Sequence, residues 1–129
     1  MTRKRKGKYI LVIEDDEGLC DSILENLQTA GYRCMGVNNL KEASFKLQNQ
    51  KYECILLDMQ LGAESGMSVI ELVRSRKGSQ NPDTPIVVVS GYLDKVLLKK
   101  IASQIQGALV KPFDTKMLLS TVDKLTDSA

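Results

Sequence analysis

The 129-residue sequence contains no histidine. That absence removes the Ser-His and Cys-His arrangements, in which an imidazole takes the nucleophile's proton. It has only three cysteines, Cys20, Cys34 and Cys54, an odd number with no C-x-x-C pair. Neither a disulfide framework nor a usual zinc site is therefore supported, and the three read as small buried hydrophobes in a reducing cytoplasm. No apolar run approaches the roughly 20 residues that span a bilayer. The apolar stretch behind the basic N-terminus, Tyr9 to Ile13, is too short for the core of a signal peptide. The chain is expected neither to span a membrane nor to carry a signal, and no repeat or low-complexity segment interrupts it. Any chemistry must run on carboxylates, hydroxyls, lysines or a bound metal.

What is present is ordinary for one globular domain: 43% hydrophobic and 26% charged residues, in a chain long enough to bury about two-thirds of its unfolded surface. The net charge of +2 hides an asymmetry. Arg3, Lys4, Arg5, Lys6 and Lys8 supply five of the 18 basic residues, and none of the 16 acids lies among the first eight positions. The body that follows has 13 basic and 16 acidic residues. Residues 1–8 are expected to be a solvated, disordered tail without assigned function, and 9–129 the folded domain.

Apolar runs without polar alternation recur along the chain and read as strands covered on both faces. They are Tyr9 to Ile13, Cys54 to Leu57 and Pro85 to Val89, with shorter strands at 33–37 and 107–110. Apolar spacings of three and four place helices at 17–30, 40–50, 66–75, 93–105 and 115–126. Asp16 and Asn39 are candidate N-caps, and Gly31 stands where the first helix should stop. Residues 59–65 and 77–84 read as loops. Strands alternating with helices predict an α/β fold, a doubly wound five-stranded parallel sheet with helices on both faces.

Four of the five strands end on a polar residue: Glu14 and Asp15 after the first, Asp58 after the third, Ser90 after the fourth, Lys111 after the fifth. Taken alone, Asp58 could equally cap a turn. In an open parallel sheet, however, all carboxyl ends share one edge, where ligand sites form. Carboxylates brought together there repel, and a hard divalent cation, most simply Mg²⁺, relieves the repulsion while leaving positions for phosphate oxygens. A lysine and a hydroxyl opposite complete a cage for a phosphoryl group, and an aspartate is an established nucleophile for one.

From Tyr9 to about Thr126 this combination resembles the receiver domains of two-component response regulators. The residues that carry the resemblance are Glu14 and Asp15, Asp58 with Gly66 eight positions on, Ser90-Gly91, and Lys111-Pro112-Phe113. It implies a flavodoxin-like sheet with strand order 2-1-3-4-5 and Asp58 as the phosphoacceptor. Asp15, Asp58 and the Gln60 backbone carbonyl would hold Mg²⁺, and Glu14 would act mainly through a water. Ser90 would contact the phosphoryl group, Lys111 would pair with it, and the Lys111-Pro112 bond would be cis. The implied donor is a histidine kinase or histidine phosphotransfer protein. Because the sequence stops at Ala129, soon after the last helix, the expected output of a stand-alone regulator is binding to an unidentified downstream protein rather than DNA. Self-catalysed phosphotransfer and autodephosphorylation would accompany it.

The chain departs from the family pattern in three places. Ala108 stands where a Tyr or Phe usually precedes the lysine by three, the Ser90 to Lys111 spacing is one residue short, and Gly62 replaces the usual loop proline. The signal is therefore expected to leave through the fourth helix, whose Leu93, Val96, Leu97, Leu98 and Ile101 exceed one buried stripe. Tyr92 would gate water at the phosphoryl group. Two other classes compete: a receiver-like scaffold that is never phosphorylated, and a small phosphohydrolase. The first would normally have lost a site residue and the second needs a cap this length hardly holds. Flavin binding is disfavoured by the acidic loop after the first strand.

Overall fold

A computed structural model describes residues 4–61, 64–92 and 95–127. Strands β1 (Tyr9–Ile13), β2 (Arg33–Val37), β3 (Cys54–Asp58), β6 (Ile86–Ser90) and β7 (Gly107–Val110) form one parallel sheet in the order β2-β1-β3-β6-β7. That is the doubly wound order expected. Helices α1 (Glu17–Ala30), α2 (Leu40–Asn49), α3 (Gly66–Arg74), α4 (Lys95–Ile101) and α5 (Thr115–Thr126) connect the strands.

The uninterrupted apolar runs have a direct cause. Side chains alternate across a strand, and both faces here are covered. Leu11, Ile13, Ile55, Leu57, Ile86 and Val88 pack with Ala43 and Leu47 of α2 and with Val69, Ile70 and Val73 of α3. Their neighbours Ile10, Val12, Cys54, Leu56, Val87 and Val89 pack with Cys20, Ile23 and Leu27 of α1 and Leu118 and Val122 of α5. One face therefore carries α2 and α3 and the other α1 and α5. Among the described residues no helix is long and apolar enough to cross a membrane.

Helix ends fall where capping chemistry puts them. Asp16, Asn39 and Asp114 each accept a backbone N–H three residues on, which satisfies one orphan donor of the first turn. Gly31 closes α1 at φ 113°, a conformation that favours glycine. The loop expected at 59–65 contains a small hairpin instead, β4 (Gln60–Leu61) pairing antiparallel with β5 (Glu64–Ser65). Two-residue strands are too short to leave a periodic signal.

The fourth helix is shorter than the expected 93–105. It ends at Ile101, after which the Gln104 N–H folds back onto the Ile101 carbonyl at 2.8 Å. The cause lies on another element. Arg74, at the end of α3, donates to the Gln104 carbonyl at 2.6 and 3.0 Å, to the Thr84 carbonyl at 2.7 Å and to the Pro82 carbonyl at 3.2 Å. One guanidinium thus gathers two loops and pulls the chain off the helical path. Residues 93 and 94, including the Leu93 assigned to the helix, lie outside the described residues, as does Gly62.

Residues 4–8 also differ from the loose tail expected. Arg5 makes a two-pronged ion pair with Asp123 of α5, at 2.9 Å from its Nε, and donates to the Ala30 carbonyl at the end of α1. Lys8 reaches the Thr126 carbonyl at the end of α5. Two cations therefore sit at the negative ends of two helices. The Tyr32 hydroxyl completes the cluster by donating to Asp123 and meeting Thr126 Oγ1 at 3.1 Å. Hydrogen bonding from Arg5 holds the Asp123 carboxyl below its usual range, so this contribution is present at neutral pH and fades as the solution is acidified through that depressed value.

Replacing Asp123 by Ala strands Arg5 and Tyr32, and by the usual cost of a broken, partly buried charged hydrogen bond it is expected to destabilise the fold by about 1–3 kcal/mol. Urea unfolding at pH 7 reads this out. The exposed Lys124→Ala on the same turn should shift stability by no more than about 0.5 kcal/mol.

Candidate functional site

The parallel register brings the strand-terminal residues to one edge. Ile13 lies beside Leu57 and Asp58 beside Val89, while Ser90 lies beside Val110. Glu14 therefore emerges next to Asp58, and Lys111 next to the end of β6. Between them opens a cleft of about 370 Å³, lined by Asp15, Asp16, Asp58, Gln60, Ser90, Gly91 and Lys111. Glu14 lies beneath it.

Three carboxylates converge. One oxygen from each of Glu14, Asp15 and Asp58 lies within 4.8 Å of the others. Glu14 is 2% exposed and Asp58 4%, whereas Asp15 is open to solvent. Burial pushes the Asp58 carboxyl up from 3.8 to about 7. The Gln60 N–H, 3.0 Å from Oδ1, opposes that shift, and the Glu14 and Asp15 carboxyls add to it. The site thus gathers negative charge that water does not screen well.

The donor set suits a hard cation. Carboxylate oxygens on an open edge, one of them exposed, match the preference of Mg²⁺ for a few oxygen ligands completed by waters. Among the described residues no imidazole or thiol lines the cleft to favour a softer metal.

Lys111 sits opposite. Its Nζ is 3.1 Å from Glu14 Oε1 and 3.8 Å from Asp58 Oδ1. The nearer partner is Glu14, whose other oxygen accepts the Asp16 N–H at 3.2 Å. Glu14 is thereby held from two sides beside the cleft. The sequence offered no sign of this pairing, because Lys111 and Glu14 are 97 positions apart and each also suits the role given to it singly. The Lys111-Pro112 bond is cis, as expected from the motif.

Ser90 reaches the cleft, but its hydroxyl is engaged. Oγ donates to the Tyr92 carbonyl at 2.8 Å and accepts the Tyr92 N–H at 3.2 Å. That closed turn leaves the Tyr92 ring 80% exposed. Ala108 is exposed on β7, where Val110 is also half-open. In α4, Val96 faces solvent, Leu97 and Leu98 are half-buried and Ile101 is in the core.

Gly66 has a steric reason that spacing alone did not reveal. A Cβ there would lie 2.8 Å from Met59 Cα, 2.9 Å from its sulfur and 3.2 Å from the Asp58 carbonyl. The Gly66 N–H donates to the Met59 carbonyl at 3.1 Å, and the Met59 N–H to the Val89 carbonyl at 3.1 Å. The start of α3 is therefore packed directly against the backbone that carries Asp58.

Comparison with known proteins agrees with this arrangement. The chain is 30% identical over 117 residues to the regulatory protein VanRB of Enterococcus faecalis, covering 90% of this chain and 51% of that one. It spans about half the length of the curated relatives it matches first. A response regulator from Burkholderia pseudomallei, solved with a phosphorylated aspartic acid, a calcium ion and citrate, superposes with a TM-score of 0.80 at 27% identity over 93% of this chain and 69% of its own. The receiver domain of the sensor histidine kinase PA1611 from Pseudomonas aeruginosa, solved with magnesium in its active-site cleft, shares the fold with a TM-score of 0.82 at 24% identity over 95% of this chain and 99% of its own. The family model for the response regulator receiver domain matches residues 10–123, the span from β1 to the last turns of α5 that builds the acidic edge, and the chain belongs to that family.

Proposed function

We propose that Asp58 accepts a phosphoryl group from a phosphohistidine, carried by a histidine kinase or a phosphotransfer protein, and that the phosphorylated domain signals by binding a further protein. The observation that carries this reading is the placement of a buried Asp58 carboxylate at the end of β3, between two further carboxylates and Lys111. An Asp58 oxygen would form the new O–P bond as the P–N bond of the donor breaks. The leaving imidazole nitrogen keeps the electron pair and takes up a proton from solvent. Hydrolysis by water would later return the carboxylate.

Glu14, Asp15, Asp58 and the Gln60 carbonyl are the groups that would hold Mg²⁺, with Glu14 acting through a water. The cation would supply neutralising charge and coordinate phosphoryl oxygens. Lys111 is placed to exchange its contact with Glu14 for one with the added phosphoryl group. Ser90 has to leave its turn with Tyr92 to donate to that group, and this links the chemistry to the start of α4. We assign the receiver unit to residues 9–129 and its site of action to the cytoplasm.

Incubation with Mg²⁺ and a small phosphodonor is expected to add one acid-stable, base-labile phosphate, located by mass at Asp58. Asp58→Asn should abolish it; labelling of that variant at the wild-type rate would assign the acceptor elsewhere.

The raised Asp58 carboxyl also fixes the sign of a pH effect. The folded protein holds that proton more tightly than the unfolded chain, so stability falls as pH rises between about 4 and 7 and stays reduced above. Mg²⁺ is expected to raise the melting temperature more at pH 8 than at pH 5. Asp58→Asn should flatten the pH dependence, and Asp15→Ala should abolish the Mg²⁺ effect.

Freed from Ser90, residues 91–105 are expected to lose amide protection on phosphorylation. Hydrogen exchange with and without a phosphoryl mimic reads this directly, and unchanged protection at a saturated site would exclude α4 as the route of output.

A further inference from the structure

The other end of the sheet carries a feature that the phosphoryl site does not use. Strand β2 is an edge. The Arg33 N–H donates to the Lys8 carbonyl and the Val37 carbonyl accepts from Glu14, each at 3.0 Å. Residues 33, 35 and 37 therefore turn their peptide groups toward β1, and the N–H and C=O groups of Cys34 and Gly36 point away from the sheet. Among the described residues nothing hydrogen-bonds to those four groups. The usual guards of an edge, a mid-strand lysine, a proline or a bulge, are missing from Arg-Cys-Met-Gly-Val.

Beside this edge, Met35 and Phe45 on α2 line a groove of about 560 Å³ together with Lys41, Glu42 and Lys46. Phe45 is 64% exposed. Charge is segregated along the strand direction. Glu17, Asp21 and Glu42 surround a second cavity at the Val37 end, while Arg33 stands at the opposite end with Gly7 and the Lys8 backbone against it. The surface thus runs from an acidic cavity at the Val37 end, past Met35 and Phe45 flanked by Lys41 and Lys46, to Arg33 at the other end. Such a pattern is complementary to itself when a second copy runs antiparallel, and it sets like charges together when the copy runs parallel.

We propose that β2 is the site at which a second copy of this chain adds, antiparallel, about a two-fold axis through Met35. Cys34 then faces Gly36 of the second copy, and the two pairs exchange four backbone hydrogen bonds, the number the open groups allow. Met35 meets its own symmetry mate under the two Phe45 rings. Arg33 falls opposite Val37 of the second copy, in the groove that Glu42 lines, so each end of the ribbon closes on an ion pair. The two acidic edges point in opposite directions, which leaves both Asp58 clefts open to a phosphoryl donor.

Sedimentation equilibrium of the full chain at low salt, to about 1 mM so that a small, weak interface registers, tests this. The mass is expected to rise with concentration from 14.3 kDa toward that of a dimer. Arg33→Glu and Glu42→Arg, both at exposed positions, should each weaken association at least about tenfold. The double variant R33E/E42R should restore it, an outcome that a merely misfolded chain would not give. A monomer at every concentration would overturn the proposal, and so would a dimer indifferent to both single charge reversals.

Discussion

The structure depends on keeping a carboxylate out of water beside two others. Asp58 is 4% exposed and lies within 4.8 Å of the oxygens of Glu14 and Asp15, an arrangement that opposes its own ionisation. A stable sheet has to impose it. Two parallel strands, β1 and β3, fixed by apolar packing on both faces, deliver the three acids to one point, and β7 delivers Lys111. Gly66 lets α3 close against the Asp58 backbone to within a distance no side chain allows. A cation bound among these carboxylates would relieve charge that the fold leaves poorly screened.

Much of this was legible in the sequence because the signals are local. Unbroken apolar runs announce strands covered twice, Asp16, Asn39 and Gly31 announce helix ends, and polar residues at successive strand ends announce a shared edge. What stayed hidden is long-range. Arg74 ends α4 early from the far side of a loop, and Arg5 reaches Asp123 across 118 positions. Spacing cannot tell a solvated cation from one that caps a helix. Glu14 likewise read as a metal-site acid, and only the registers that link β1 to β7 through β3 and β6 set it 3.1 Å from Lys111.

The same geometry holds two features of the sheet apart. At the carboxyl edge of the sheet, Ser90 is tied to Tyr92, two residues beyond the end of β6, and Ala108 offers no ring to move. Along β2, a strand with open peptide groups passes between acidic and basic ends. Neither feature competes with the other for surface, because β2 and β7 are opposite edges of the sheet.

Burial, with the neighbouring carboxylates, holds the Asp58 carboxyl well above its ordinary range, and a cation bound beside it should bring it down. Carboxyl carbon NMR of the metal-free protein measures this directly. Asp58 is expected to titrate near 7, and saturating Mg²⁺ should carry its midpoint down toward the ordinary carboxylate range. An Asp58 that titrates near 4 without metal, or one whose midpoint ignores Mg²⁺, would contradict the account.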